Sequence, residues 1–403
     1  MTKAAAHASV GNRGRKRRIR QALLRSVVGL LLLLGVVGAL AALSNLGMPT
    51  HSLVVDRLGA LEKARLAEAF HLRRTLGDRV WPGWGSATIP AVVYNEGYVF
   101  LVGYPDPPAG WRTVPDHRQH GGPWEPVAND QFAGAPYYRQ QLFSPEIEPQ
   151  SFTVLVGDRW VSSLGTKEWM VISLGQQVRE DFGPLFPYRL FTRLLIGSSE
   201  TYIGALLHES FHAYQGMVAP TRLESSETIA RQHGDQYPVN DAAHQQAWQT
   251  ELNLLADALN ATSPEESSQL ARQFLAQRAK RRTAMALTPA LIEYECQREW
   301  LEGLAKYAEL AILRQAAAGD SYTPLPAIAA DDDFSAYSRA ERYWSQQVAQ
   351  IRRMAGDEGD GRFYYSGMAQ AFLLDRLLPG WEERIISEDV TLEELLDEAV
   401  PQS

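Results

Sequence analysis

The clearest chemical signature in this chain is the motif H-E-x-x-H, formed by His208, Glu209 and His212. The surrounding residues predict a helix, in which positions four apart lie on one face about one turn from each other. Both imidazoles can then reach a single Zn²⁺ at about 2.0–2.1 Å. Glu209 follows the first histidine, so its carboxylate should reach a water on the metal rather than the metal. The motif therefore predicts a zinc site with His208 and His212 as ligands and Glu209 as general base.

A third ligand is needed, because a catalytic zinc usually has three protein ligands and an open position. It could be a carboxylate or another histidine, and the candidate histidines are His51, His71, His117, His120, His233 and His244. Positions 215–218 read Gln-Gly-Met-Val, so the extended motif H-E-x-x-H-x-x-G-x-x-H is not completed. This argues against the class of zinc peptidases with three histidine ligands.

The carboxylate option has support in the predicted helix at 294–309, which carries four glutamates. Glycine in a helix interior costs about 1 kcal/mol, so Gly303 beside Glu302 indicates a close approach by another backbone or a metal. Glu295 and Glu309 are expected on a solvated face of the helix.

With these features the chain resembles the gluzincins, which bind zinc through two histidines and one glutamate, and distantly the aminopeptidase N family. Trp300–Ala305 reads Trp-Leu-Glu-Gly-Leu-Ala and is similar to that family's W-L-N-E-G-F-A helix, with one residue fewer before the glutamate. The resemblance implies Glu302 as the third ligand. Phe363–Ala369 is similar to the family's Y-x-x-G helix start, which implies that Tyr364 stabilises the oxyanion of the tetrahedral intermediate.

The chain departs from that family in two ways. The interval from His212 to Glu302 is far longer than usual, and we interpret it as a helical insertion. A segment like G-A-M-E-N, which captures a substrate's amino terminus in that family, is not found in the sequence. Nothing therefore predicts aminopeptidase specificity in particular.

The elements that carry these residues predict an α+β fold with a mainly helical, gluzincin-like zinc domain. Apolar periodicity predicts helices near 52–77, 199–217, 223–232, 240–260, 264–284, 287–317, 336–355, 361–377 and 391–399. Ser198 or Ser199 can cap the helix of the motif, and Gly216 is placed to end it.

A small β-rich region is predicted at 88–175, between the first two of these helices. Its strand candidates are Ala91–Tyr94, Tyr98–Val102, Phe152–Val156 and Trp169–Leu174. The stretch at 104–150 is expected to be an ordered irregular loop with locally packed aromatics. We hypothesise that Trp169–Leu174 is an edge strand that pairs with an extended substrate.

An apolar segment near the N-terminus predicts a membrane helix. Every residue from Val27 to Leu43 is apolar, Gly or Ala, and no charge lies between Arg25 and Asp56. The preceding basic cluster predicts a cytoplasmic N-terminus and an extracytoplasmic remainder, periplasmic or extracellular. Ala39–Ala41 could be a signal-peptide cleavage site, but the long apolar run favours an uncleaved anchor. The predicted division is a basic segment at 1–25, an anchor at 26–47, a helix with β-rich region at 50–197 and the helical zinc-binding part at 198–403.

Charge and cysteine content narrow the function classes. Eight of the 39 basic residues lie in the first 25 positions, which leaves 31 basic against 47 acidic residues in the remainder. Such an acidic domain is a poor nucleic-acid binder. The single cysteine, Cys296, excludes an internal disulfide and is expected to be buried.

These observations together predict a membrane-anchored zinc metallopeptidase that hydrolyses peptide or protein substrates with a zinc-activated water. Two alternatives stay open. The same site could hydrolyse amides or esters that are not peptides, or the chain could be an exported binding domain with a structural zinc. The sequence predicts neither the substrate nor the oligomeric state.

Overall fold

The computed structural model describes residues 4–142, 154–183, 186–319, 322–357 and 359–400. The chain divides into two compact units, one made of Met1–His51 with Met170–Gly197 and the other of Ser52–Trp169 with Ser198–Ser403. Helices and strands are both present and helix predominates, so the predicted α+β class is confirmed.

The bounds of the helices fix the names used below. They are α1 (Ala4–Asn45), α2 (Ala60–Val80), α3 (Lys167–Phe182), α4 (Tyr188–Ile196), α5 (Ser199–Val218), α6 (Pro220–His233), α7 (Ala242–Asn260), α8 (Pro264–Ala284), α9 (Pro289–Arg298), α10 (Leu304–Ala317), α11 (Ala340–Ile351), α12 (Gly361–Leu377), α13 (Trp381–Ser387) and α14 (Leu392–Ala399). A π-helical segment, Glu299–Gly303, joins α9 to α10.

The strands are short. They are β1 (Ala91–Tyr94), β2 (Tyr98–Val102), β3 (Trp111–Thr113), β4 (Gln119–His120), β5 (Glu125–Pro126), β6 (Tyr138–Gln141), β7 (Val154–Val156) and β8 (Arg159–Gly165). They form a mixed sheet in the order β4-β3-β7-β8-β1-β2-β6-β5. The central pair, β1 and β8, is parallel, with Ala91 opposite Ser162, and the other neighbouring pairs are antiparallel.

The second half of α1 is a candidate membrane span. Leu23–Asn45 is 23 residues long and has a mean hydropathy of 2.6, which is enough to cross a bilayer. Its leucines are exposed, as expected of a helix that contacts lipid rather than a protein core. The prediction of an apolar N-terminal helix able to span a membrane is confirmed.

In the other unit the sheet supports the helix that carries the H-E-x-x-H motif. The Tyr202 hydroxyl on α5 donates a hydrogen bond to the Gly165 carbonyl at the end of β8, at 3.1 Å. Gly216 lies so close to Trp160 of β8 that a Cβ there would come within 2.5 Å of the indole ring. This contact corrects the expectation that Gly216 ends the helix, because α5 continues to Val218. The glycine allows the helix and the strand to pack closely.

One strand prediction is wrong. Trp169–Leu174 belongs to α3, which Thr166 caps by accepting a hydrogen bond from the Trp169 amide. After the first residue of α3, the buried positions are Ile172, Gly175 and Val178, and their spacing follows a helix rather than a strand. The hypothesis of a substrate-pairing edge strand at these residues is therefore withdrawn.

The other strand candidates agree with the structure where it describes them. Ala91–Tyr94 and Tyr98–Val102 are strands, and Val154–Val156 matches the end of the third candidate, whose Phe152 and Thr153 lie outside the described residues. The β8 strand was not predicted, and the described part of 104–150 contains four short strands within what we expected to be loop. The aromatics Trp111, Trp124 and Tyr137 are buried there, as expected.

Candidate metal centre

The helix α5 places the H-E-x-x-H residues where other elements can cover them. Ser198 caps it by accepting a hydrogen bond from the Thr201 amide, as one of the two predicted caps. Leu207 and Phe211 are buried on the core side. His208 and His212, one turn apart, are 6% and 3% exposed. The motif is thus held on a rigid, buried helix.

Glu302 completes a compact triangle with the two histidines. Its Oε2 atom lies 3.4 Å from His208 Nε2 and 3.3 Å from His212 Nε2. The two Nε2 atoms are 3.2 Å apart. A tetrahedral ion with ligands at about 2.0–2.1 Å needs neighbouring ligand atoms about 3.3–3.4 Å apart. These three side chains are the group in the described residues whose ligand atoms are close enough to share a metal.

Two further features of the triangle fit a cation. Glu302 Oε2 is buried and makes no hydrogen bond of normal geometry, and its nearest polar neighbours are the two imidazole nitrogens at 3.3–3.4 Å, so a cation between them would stabilise the buried carboxylate. Burial disfavours a charged imidazole, but Glu302 and Glu309 outweigh it and raise the pKa of His208 to about 9. The surrounding carboxylates therefore favour positive charge at this point, and a metal ion would supply it.

Three of the six alternative histidines contact other groups in the fold. His71 Nε2 lies 3.1 Å from the Thr323 carbonyl, and His117 Nε2 lies 3.3 Å from a Glu224 oxygen. The His244 Nε2 atom lies 3.1 Å from the Trp248 indole nitrogen. Among the described residues, the geometry therefore favours a carboxylate, Glu302, as the candidate third ligand.

Glu309 supports the first histidine, which the sequence did not predict. Its Oε2 lies 3.5 Å from His208 Nδ1, and its Oε1 accepts hydrogen bonds from Lys306 and Tyr343 at 2.8 and 2.9 Å. Burial would raise the pKa of Glu309, but Lys306 and His208 hold it at about 2. A carboxylate behind a ligating imidazole fixes its tautomer and orientation. The expectation that Glu309 lies on a solvated face is wrong, since it is 5% exposed.

The second histidine is oriented by an amide. His212 Nδ1 lies 2.9 Å from Gln215 Oε1, and the Gln215 amide nitrogen donates to the Trp300 carbonyl at 2.8 Å. Gln215 is one turn beyond His212 on the same helix. It therefore orients one ligand and ties α5 to the π-helical segment that carries the third.

The candidate third ligand, Glu302, is held in place by Arg298. Its Nη2 atom donates to Glu302 Oε1 at 2.7 Å, which leaves Oε2 facing the histidines. Burial opposes ionisation of Glu302, but Arg298 and then His212 hold its pKa well below the usual range. Arg298 in turn pairs with Glu227 at 2.9 Å and Asp360 at 2.6 Å. Glu302 is thus held as a carboxylate.

The neighbouring glutamates on this helix have structural roles. Glu299 accepts two hydrogen bonds from Arg278, at 2.8 and 2.5 Å, and a third from Ser366. Glu295 is fully buried and pairs with Arg281 at 2.5 Å and Arg282 at 2.8 Å. The expectation of a solvated Glu295 is therefore wrong, because two arginines of α8 cover it.

Gly303 allows the close approach that the sequence predicted. A Cβ at Gly303 would lie 2.5 Å from the Cα of Gly367, and a Cβ at Gly367 would lie 2.5 Å from the Glu299 carbonyl oxygen. The π-helical segment and α12 therefore cross with their backbones in contact. Gly367 is the glycine of the Y-x-x-G segment, so this crossing brings Tyr364 to the metal candidate.

Tyr364 lies beside the first histidine. Its ring stacks on the His208 ring with centroids 5.5 Å apart and an interplanar angle of 2°. Burial and the adjacent Glu302 carboxylate raise the pKa of Tyr364 well above its usual value. Its hydroxyl therefore keeps its proton and can donate a hydrogen bond.

Glu209 has the environment of an acid–base group. It is 8% exposed, and its Oε2 atom is buried without a hydrogen-bond partner in this structure. Burial raises the pKa of Glu209 well above its usual value; His208 acts in the opposite direction, and the carboxylates of Glu302 and Glu309 add to the rise. A carboxyl with a raised pKa takes up a proton more readily than a free one, as a general base must.

Comparison of the chain with protein-family models, curated proteins and solved structures finds no match.

Proposed function

We propose that this protein is a membrane-anchored zinc metallopeptidase of the type with two histidine ligands and one glutamate ligand. The observation that carries the proposal is the triangle of His208, His212 and Glu302, with edges of 3.2–3.4 Å beside the carboxyl of Glu209. Buried structural histidines are expected to make hydrogen bonds of normal geometry, whereas Glu302 Oε2 faces both imidazoles at 3.3–3.4 Å without one.

In this proposal each residue of the site has a separate role in peptide hydrolysis. His208, His212 and Glu302 would hold Zn²⁺, which when bound lowers the pKa of water toward about 7 and polarises the scissile carbonyl. Glu209 takes a proton from the attacking water and passes it to the nitrogen of the leaving amine as the C–N bond breaks. The Tyr364 hydroxyl donates a hydrogen bond to the carbonyl oxygen as negative charge develops on it.

The ligand number favours catalysis over a structural zinc. Structural zinc sites usually have four protein ligands, whereas catalytic ones usually have three and an open position. The group in the described residues has three members. The second candidate function, hydrolysis of non-peptide amides or esters, would use the same residues and differs only in substrate.

The membrane segment supports an extracytoplasmic site. The basic cluster precedes the apolar span, and the acidic remainder follows it. Positive charge is retained on the cytoplasmic side of a membrane, so we propose a cytoplasmic N-terminus and a catalytic part in the periplasm or outside the cell.

The decisive test assays metal and activity in the same preparations. The wild type should contain about one zinc per chain and cleave a peptide library, with products read by mass spectrometry. Glu302→Ala should lose the zinc. Glu209→Gln should keep the zinc and lose about 10²–10⁴-fold of the cleavage rate, because it cannot accept the proton.

Glu341→Gln is the matched control, since that glutamate is exposed and pairs weakly with Arg314 at 3.8 Å. It should keep both zinc and activity. Zinc retained by Glu302→Ala would overturn the ligand set. Turnover of small amides without any peptide cleavage would favour the second candidate function.

A further inference from the structure

The segment that follows α3 exposes an unusual number of apolar side chains. Leu190, Leu194 and Leu195 of α4 are 55%, 75% and 50% exposed, and Phe182 at the end of α3 is 65% exposed. Leu190 and Leu194 are one turn apart, on the same face of α4. Buried Thr192 lies on the other side of the helix. A contiguous exposed apolar surface of this kind indicates a binding face.

Basic residues flank that face. Arg189 and Arg193 are exposed and also one turn apart, so they form a stripe beside the leucines. A short helix with an apolar face and arginines along its edge has the pattern of helices that lie in a membrane interface. The long arginine side chains can reach the lipid phosphates while the leucines enter the acyl region.

Hydrogen bonds fix α4 at the end of the candidate membrane span, within the same compact unit. The Asn45 side chain donates to the Phe186 carbonyl at 2.7 Å and accepts from the Arg189 amide at 3.3 Å. The span ends at Asn45, which is where the hydrocarbon of a bilayer would end. The start of α4 is therefore held at the depth of the lipid headgroups.

An aromatic cluster packs around the start of α4. Phe186 stacks on Phe182 with centroids 5.0 Å apart and meets Phe191 edge-on at 5.7 Å. This aromatic cluster joins the end of α3 to the buried side of α4. The helix that carries the exposed leucines is thus packed against aromatic rings on its other side.

We propose that α4 lies in the headgroup layer of the bilayer that α1 crosses, and that phospholipid is what covers its apolar face. Leu190, Leu194 and Leu195 face the acyl chains, and Arg189 and Arg193 bind lipid phosphates. The surface is a second point of membrane contact beside the anchor, and it does not depend on the proposed peptidase activity.

The test measures the depth of α4 in the full-length chain reconstituted in phospholipid vesicles. An environment-sensitive fluorophore is attached to Leu194→Cys, and in a second preparation to Leu190→Cys. The native Cys296 is buried and stays unlabelled. Lipids that carry a nitroxide near the top of the acyl chain should quench both labels several-fold. The same labels in vesicles without nitroxide lipid give the unquenched reference.

Charge is tested with Arg189→Gln/Arg193→Gln in the Leu194→Cys background. The arginines should make quenching stronger in vesicles with anionic lipid than in neutral ones, and the double variant should lose that difference. An unchanged difference would refute the role of the arginines. Labels at 190 and 194 that are open to aqueous iodide and insensitive to lipid nitroxide would overturn the proposal. A blue-shifted label that neither quencher reaches would also overturn it, because a second copy or another protein would then cover the face.

Discussion

At the scale of single residues, the side chain behind His208 gives the sharpest prediction. Glu309→Gln removes the negative charge that faces His208 Nδ1 and leaves Lys306 with a neutral partner. Loss of such a carboxylate typically lowers metal affinity about 10–100-fold, because the imidazole becomes less basic and less well oriented. Competition with a chromogenic chelator measures this affinity directly.

The control separates metal affinity from folding. Glu309 also accepts hydrogen bonds from Lys306 and Tyr343, so the variant could lose stability without any effect on the ligand. Thermal unfolding of the metal-free wild type and variant measures that loss by itself. Equal zinc affinities in the two proteins would show that Glu309 serves only the packing of α10 and α11.

The sequence identifies site residues that lie close together in the chain more readily than residues that only the fold brings together. His208, Glu209 and His212 lie within five positions of one helix, so helical geometry alone relates them. Glu302 required the glycine beside it and a resemblance to known zinc helices. Glu309 was misjudged, because its burial depends on Tyr343, which lies on α11, 34 residues away.

At the scale of elements, the crossing of α12 and the π-helical segment determines where Tyr364 lies. In Gly367→Ala the new Cβ would lie 2.5 Å from the Glu299 carbonyl oxygen and 2.8 Å from the Gly303 Cα. Both are backbone atoms, so the helices must move apart. We expect a cost of about 1–3 kcal/mol in the free energy of unfolding, as in other overpacked cores.

The same change should lower kcat more than zinc content, because Tyr364 lies on the helix that carries Gly367, whereas two of the three candidate ligands lie on α5. Thermal unfolding, bound zinc and peptide turnover are measured on one preparation. Gly356→Ala is the matched control, since a Cβ there meets nothing within 4 Å and its backbone is not left-handed. A Gly367→Ala variant as stable and active as this control would show that the close crossing is not required.

Element prediction succeeded where a pattern was long and failed where it was short. The long helices at 264–284 and 361–377 have the predicted bounds, because the apolar spacing repeats over several turns. Trp169–Leu174 is six residues of high strand propensity, too short to distinguish a strand from a buried helix. The nine-residue α4 and seven-residue α13 were missed for the same reason.

At the scale of the whole molecule, charge is distributed asymmetrically about the apolar span. Eight basic residues and no acid lie in positions 1–25, whereas the residues beyond them carry 31 basic and 47 acidic side chains. The orientation of a single span follows the basic flank. A chain inserted in the opposite sense would have to carry that entire flank across the membrane and leave the proposed zinc site in the reducing cytoplasm.

This asymmetry predicts that the zinc-binding part can be reached from outside intact cells. A membrane-impermeant maleimide should label Lys280→Cys without disruption of the cells, and should label Ser9→Cys, in the basic segment, only after they are opened. Buried Cys296 provides the background in the wild-type chain.

The reverse labelling pattern would place the proposed zinc site in the cytoplasm and would exclude extracytoplasmic peptides as its substrates. It would leave the proposal of the zinc site itself unchanged. Labelling of Lys280→Cys in both intact and opened cells, together with release of the labelled chain from the membrane, would instead indicate cleavage near Ala39–Ala41 and a secreted enzyme.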